Sequence, residues 1–457
     1  MSEKIKYILE EEKIPKNWYN IEADLAEHTP VALDPTTGKP FEAAKLEAIF
    51  SHGVIEQEMS RERYIPIPEP VRDILTQWRP SPLYRARRLE KALGTPARIY
   101  YKYEGVSPSG SHKSNSALAQ AFESKKSGAK FITTETGAGQ WGSALSQACQ
   151  IFGLHCKVYM VKCSFNQKPY RKAVMELFGG ETIPSPSPFT EAGRAVLAKD
   201  PDCSGSLGIA ISEAVEDALK NNDTKYCLGS VLNHVLLHQT IIGEEALLQM
   251  DMANDYPDII IGACGGGSNF AGIAFPFIGE MLRGGRKIDV LGVEPAACPT
   301  LTKGKYAYDF GDVAKMTPLM KMYTLGSSFI PPAVHAGGLR YHGMAPQISN
   351  IAKQGLMRAR TVQQLDVFRD AVSFARSEGI IPAPESSHAI SAAMDEAREC
   401  AKTGESKCIF FNLSGHGHLD MTAYLDYFAG KLKNYNYPEE EIAMALSCLP
   451  VCDENAK

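Results

Sequence analysis

No part of this chain is apolar for long enough to cross a bilayer: runs such as Ile259 to Ile261 and Ile409 to Phe411 are strand-sized. Also missing is the uninterrupted apolar core of a secretory signal, because Met1 to Lys13 alternates Lys and Glu around isolated apolar residues. A soluble, cytoplasmic protein with no membrane partner is expected. No basic run is interleaved with aromatics, and a net charge of −5 with a pI near 6.2 argues against a nucleic-acid partner. The eleven cysteines include no CxxC pair and no Cys/His ligand spacing, so no metal site is expected and free thiols are the reading. Cys448 and Cys452 are near enough for a tail disulfide but are expected to be unpaired. Internal repeats and low-complexity tracts are absent.

What is present suits an enzyme. A chain of 457 residues with 44% apolar content can bury a core large enough for two lobes around a cleft. From Ala97 onward, short β-branched or apolar runs alternate with amphipathic ones. Strands are expected at Ala97–Lys102, Phe131–Glu135, Cys156–Val161, Asp258–Cys264, Lys287–Glu294 and Lys407–Leu413. Helices are expected at Lys113–Lys126, Gln140–Phe152, Pro169–Phe178, Ser206–Asn221, Val235–Met250, Asn269–Leu282, Thr361–Glu378 and Ser386–Lys402. The alternation means an α/β fold, a mostly parallel sheet with helices on both faces and ligands at the carboxyl ends of the strands. Before Ala97, Pro30, Pro35, Pro40, Pro66, Pro68, Pro70, Pro80 and Pro82 break regular structure, so this segment should wrap the body.

Four stations carry chemistry. Lys113 follows Ser107-Pro-Ser-Gly-Ser-His112 and opens a helix, where the positive dipole end disfavours its ammonium and leaves an amine able to bond an aldehyde. Taken alone it could be an ordinary surface lysine. Gly265-Gly266-Gly267-Ser268-Asn269 follows an apolar strand, and its backbone N–H groups can cradle an anion. Its spacing is not G-x-G-x-x-G and no P-loop lysine follows, which favours a single phosphate over a dinucleotide. Glu135 ends an apolar strand, where a carboxylate is costly without a task, and general acid/base work is the sharp reading; a solvated strand end is the bland one. The turn Thr136-Gly137-Ala138-Gly139-Gln140 offers consecutive N–H groups to a substrate carboxylate. Ser414, after Cys408 to Leu413, could face a pyridine nitrogen and leave it largely unprotonated, which favours β-elimination and replacement over transamination; it could equally cap a helix. Lysine, phosphate cup and ring partner together describe a pyridoxal-phosphate site.

From about Arg79 to Tyr427 the chain resembles the tryptophan synthase β chain family, through five ordered matches: His112-Lys113-Ser114-Asn115, Glu135 to Gly142, Cys264 to Asn269, Gly379 to Ala389 and Asn412-Leu413-Ser414-Gly415. The resemblance implies a fold-type II pyridoxal-phosphate enzyme with the cofactor in the cleft between two lobes. It implies lobes made of residues 1–78 with 112–232 and of 79–111 with 233–457. It further implies joining indole to the β-carbon of serine, and a monovalent cation as an auxiliary. By position, Lys113 resembles the cofactor-bonding lysine and Glu135 the acid/base. His112, Gly265, Gly266, Gly267, Ser268 and Asn269 resemble the phosphate cup. Ser230 takes a place near the cofactor that is usually threonine, Glu385 resembles the carboxylate near the ring, and Ser414 the ring-nitrogen partner.

Departures point to the second, stand-alone branch. Trp141 stands where the common branch has histidine, beside the substrate-binding residues 136–140. The segment Gly229 to Glu244 is shorter, the N-terminal portion is longer, and the run Val334 to Gly343 looks like that of the second branch. A homodimer without an α subunit is expected. Arg340 replaces an aspartate near the β-substituent of the bound amino acid, and a guanidinium is suited to a phosphate, so O-phosphoserine stands beside serine as donor; the alternative is an arginine that only pairs a loop carboxylate. A dehydratase or cysteine-synthase type of the same cofactor class, or a non-catalytic cofactor-binding protein, are the rival readings. Intact Lys113 and Glu135 weigh against the last.

Overall fold

The structure, a computed structural model, describes residues 4–435 and 439–451. Two sheets organise it. The smaller has four parallel strands in the order 180–185, 155–161, 131–136 and 224–226. The larger has seven, in the order 6–7, 83–85, 98–103, 408–413, 259–263, 289–295 and 358–362. Its five strands from 98–103 onward run parallel, while 83–85 and 6–7 add antiparallel edges. Central strands such as Cys408–Leu413 and Ile259–Ala263 are buried along their whole length, as expected of strands covered on both faces.

The helices follow the anticipated pattern closely. Lys113–Lys126 and Gln140–Phe152 form as expected, and Gly153 closes the second in the left-handed conformation that glycine takes without steric cost. Two expectations need correction. The helix placed at 361–378 starts at Gln364, because Arg358–Val362 pairs with 291–295 as an edge strand. The helix placed at 235–250 divides into Asn233–Gln239 and Ile241–Met252, with Thr240 between them; its hydroxyl bonds the Leu237 carbonyl and accepts from the Tyr19 backbone.

The proline-rich segment is also more regular than its composition suggested. It contains helices His52–Met59 and Glu69–Leu75, the latter with Pro70 in its first turn where no N–H is missed, and a ribbon of 17–19 with 64–66. Lys6–Tyr7, from the stretch expected in the first lobe, lies on the edge of the larger sheet. Trp18 and Tyr19 are buried in the main core. No helix among the described residues is long and apolar enough to span a membrane, and no described cluster of His, Cys, Asp and Glu could hold a metal. The ten described cysteines are unpaired; Cys448 is exposed and Cys452 lies outside the described residues.

Candidate active site

All four stations converge at the carboxyl ends of the two sheets. Lys113 opens its helix with His112 at the N-cap position. Its ammonium donates to the Gly229 carbonyl and to Ser268 Oγ, the latter at 3.0 Å. Lys113 is only partly buried as a residue, yet its ammonium lies among interior groups; burial pulls its pKa down to about 8 against the opposing pull of Glu135 and Glu385. A pKa of about 8 leaves roughly a tenth of the amine neutral at pH 7, far more free base than a surface lysine offers. The helix start was expected to lower it; the cause found is burial.

The glycine turn has no room for side chains. A Cβ on Gly265 would lie 2.4 Å from the Gly338 carbonyl oxygen, one on Gly266 would lie 2.0 Å from Ser230 Oγ, and Gly267 has φ +102°. Helix 268–282 begins immediately after, so its first N–H groups lack partners within the helix and point into the same space. His112 Nε2 lies 3.2 Å from Ser268 Oγ, and burial holds that imidazole well below its usual pKa, hence neutral. Asn269 donates to the Ala263 carbonyl and accepts from Asn412, which fixes the far side of the turn. A cavity of about 30 Å³ is lined here by His112, Lys113, Ser230, Gly265 to Asn269, Glu385 and Ser414 among others.

Ser414 Oγ lies 2.6 Å from Ser386 Oγ, while its own carbonyl accepts from the His112 backbone. Glu385 accepts from Gln140 Nε2 at 3.2 Å and from the Gly338 N–H at 3.1 Å, which ties the 136–140 turn to the far wall. That turn is tightly seated: a Cβ on Gly137 would come within 2.6 Å of the Gly337 oxygen, and Gly139, at φ +92°, rests on the Arg171 stem. Glu135 is buried, and desolvation raises its pKa to about 7; the Tyr226 hydroxyl, donating to Oε2 at 2.6 Å, opposes that rise. A second cavity of about 50 Å³, lined by Lys113, Glu135, Thr136 to Ala138, Gln140 and Trp141, joins these groups.

Trp141 lines that cavity, with its indole N–H donating to Thr134 Oγ1 at 2.6 Å and its ring against Gly229. Beyond Glu135 opens an apolar chamber of about 300 Å³, walled by Glu135, Leu207, Ile211, Tyr226 and Tyr341 on one side and by Val31, Phe41, Leu46, Phe50 and Ile55 of the N-terminal segment on the other. Arg340 is the exception among the expected residues. It lines none of these cavities: its guanidinium donates to the Pro331 carbonyl at 2.6 Å and contacts Cys163 Sγ, and its buried Nε has no partner. No carboxylate among the described residues pairs with it, so the loop partner considered for it is not found there.

A family model described as pyridoxal-phosphate dependent enzyme matches residues 74–415. Tryptophan synthase beta chain 2 of Methanosarcina acetivorans is 60% identical over 430 residues, covering 94% of this chain and 97% of that protein. The chain belongs to the tryptophan synthase β chain 2 family of pyridoxal-phosphate dependent enzymes. A second relative of the same name, from Aquifex aeolicus, is 59% identical and covers 93% of this chain and 99% of its own. The processed form of threonine deaminase isoform 2 from Solanum lycopersicum shares the fold, with a TM-score of 0.57, 18% sequence identity and coverage of 76% of this chain and 87% of that one. The family's fold-type II architecture and its cofactor are therefore those expected from the sequence.

The residues present fit that cofactor: a partly neutral lysine, a glycine turn that any Cβ would fill, and a neutral hydroxyl at the opposite end. Sequence reading missed Tyr226, Ser386 and the Gly229 carbonyl. The strand 224–226 that carries Tyr226 is three residues long, too short to stand out by periodicity.

Proposed function

We propose that this protein makes tryptophan by joining indole to the β-carbon of serine. The observation that carries the reading is the position of Lys113: its ammonium reaches Ser268 of the glycine turn, and the cavity it lines is shared with Glu135, behind which the apolar chamber opens. When bound, pyridoxal phosphate would withdraw electrons from the amino acid's α-carbon. Gly265 to Gly267, Ser268, Asn269 and His112 would hold its phosphate, Lys113 its aldehyde carbon, and Ser230, Glu385 and Ser414 its ring.

The chain's own groups would divide the remaining work. Lys113, once its amine is free, holds and moves the α-proton. The N–H groups of the 136–140 turn, flanked by Trp141, bind the substrate carboxylate and exclude water from one face. Glu135, poised near pH 7, can give a proton to the departing β-hydroxyl and later take one from the indole nitrogen. The apolar chamber suits a flat aromatic nucleophile better than the hydrosulfide of a cysteine synthase, and a dehydratase, which only eliminates, needs no chamber for a second substrate. The deciding experiment is tryptophan formation from serine and indole by the cofactor-loaded protein alone. Pyruvate from serine with no tryptophan would favour the dehydratase reading, and neither product would favour a binding protein.

O-phosphoserine stays as the alternative donor, weakened by the turn of Arg340 toward the Pro331 carbonyl and Cys163 and away from the cavities. Direct competition between the two donors decides it; a wild-type preference for serine that Arg340→Ala leaves unchanged would remove Arg340 from the site. We further propose a cytoplasmic homodimer independent of an α chain, supported by the N-terminal segment walling the chamber from within the same polypeptide. Sedimentation tests the dimer, and a several-fold activation on adding α chain would contradict independence. A division into lobes of 1–78 with 112–232 and 79–111 with 233–457, apart from the edge strand Lys6–Tyr7 on the larger sheet, is part of the same proposal; limited proteolysis can locate the boundary.

A further inference from the structure

We propose that Tyr226 is the positioning residue for Glu135, and that the N-terminal segment at Ile49 and Phe50 holds Tyr226 in place. This deepens, and rests on, the reading of Glu135 as the acid/base.

The register makes the first contact. Strands 131–136 and 224–226 run parallel with Thr133 opposite Tyr226. Side chains alternate across a strand, so Glu135, two residues on from Thr133, shares a face with Tyr226. The phenol donates to Glu135 Oε2 at 2.6 Å and is the only side chain among the described residues to hydrogen-bond that carboxylate. The Gly229 backbone and the Lys113 charge add to its hold. Other titratable groups facing Glu135 are Cys227 and Tyr341, both kept neutral by burial. Tyr226 itself is pushed well above its usual pKa by burial and by Glu135, so it remains a donor at any working pH.

The second contact comes from far away in sequence. Strand 224–226 is a three-residue edge, with a ladder to one neighbour only, so its own sheet holds it weakly. The Tyr226 N–H instead donates to the Ile49 carbonyl at 2.7 Å, and the Phe50 ring lies 5.7 Å from the phenol ring. Lys225 donates to the Glu47 carbonyl beside it. Phe50 is backed in turn by His234, 5.9 Å away in an edge contact. Residues 47–50 therefore grip the strand that grips the carboxylate, and Phe50, Tyr226 and Glu135 all face the apolar chamber.

The test reads the Glu135 carboxyl directly, by pH-difference infrared spectroscopy of the cofactor-loaded protein, with Glu135→Gln identifying its band. Tyr226→Phe should raise the midpoint by about one pH unit, since the lost hydrogen bond favoured the charged form. The acid limb of tryptophan formation should move with it, with KM for serine within about twofold of wild type, as a positioning role predicts. Phe50→Ala, which touches neither Glu135 nor Lys113, should shift the midpoint the same way by less; Phe50→Leu serves where the alanine variant does not fold. An unchanged midpoint in Tyr226→Phe overturns the positioning role. A shift there but none in the Phe50 variants overturns the N-terminal link. If the wild type forms no tryptophan, the functional reading fails, while the infrared midpoints still judge Tyr226.

Discussion

The turns after strands 131–136 and 259–263 are built alike and surrounded differently. Each follows a parallel strand, each puts a glycine in the left-handed region at the helix N-cap, Gly139 at φ +92° and Gly267 at φ +102°, and each starts a helix of thirteen residues or more. Both are anion receptors by construction, because the first N–H groups of a helix have no partner within it. What separates them is the side chains that arrive. The second turn receives His112 and Lys113 through Ser268, while the first rests on the Arg171 stem and is preceded by the buried Glu135. The backbone supplies two similar cups, and in our proposal the side chains around them give one to the cofactor and the other to the substrate.

The sharpest test of that assignment removes what each turn's neighbourhood supplies. Lys113→Ala should abolish tryptophan formation and remove the lysine that borohydride reduction and peptide mapping would otherwise label; a label elsewhere would reassign the site. Glu135→Gln should keep the cofactor and lose turnover by about 10²-fold or more, the usual scale for a general acid/base. Near-normal turnover would mean that the carboxylate is only structural and that the two turns differ less than proposed.

The glycines themselves sharpen the comparison at smaller cost. An L-residue in the left-handed region costs about 1–2 kcal/mol, and where the turn relieves that strain by leaving its binding geometry, binding weakens by up to about tenfold. Gly267→Ala, whose Cβ would also meet Ile348, should weaken pyridoxal phosphate by about that factor. Gly139→Ala, pressed against the Arg171 stem, should raise KM for serine by a similar factor and leave cofactor affinity alone. Equal effects of both variants on cofactor affinity would mean that the turns are not specialised.

Much of this was legible in the sequence because the site sits where periodicity is strong. The helices at 113–126 and 140–152 and the strands at 131–136, 259–263 and 408–413 are long, patterned and bounded by glycine, and they carry Lys113, Glu135, both turns and Ser414. The N-terminal segment was harder to read. Prolines suggested an irregular wrap, yet Pro70 merely starts a helix and residues 29–61 wall the apolar chamber. Tyr226 was hidden for a related reason, since a short edge strand fixed by distant backbone contacts leaves no local pattern. Arg340 was placed by analogy of position; the side chain turns instead toward Pro331 and Cys163, a choice made by loop geometry that no spacing encodes.

A pH dependence, small near neutrality, should belong to the first turn alone. Burial raises Glu135 to about 7, so the carboxyl is protonated below that pH and ionised above it. Taking the indole proton needs the ionised form. At saturating serine, kcat/KM for indole should therefore fall about tenfold per unit as pH drops below 7, and level off above it. The cofactor turn should contribute no matching limb, because His112 is held neutral by burial throughout this range. Cofactor affinity should accordingly stay flat between pH 6 and 8 apart from the phosphate's own ionisation, which lies near about 6 for a phosphomonoester. If Glu135→Gln removes the limb from the indole profile without disturbing cofactor affinity, the titration belongs to the substrate turn. Should the limb survive that substitution, another group controls it, and Lys113, at about 8, is the one to examine next.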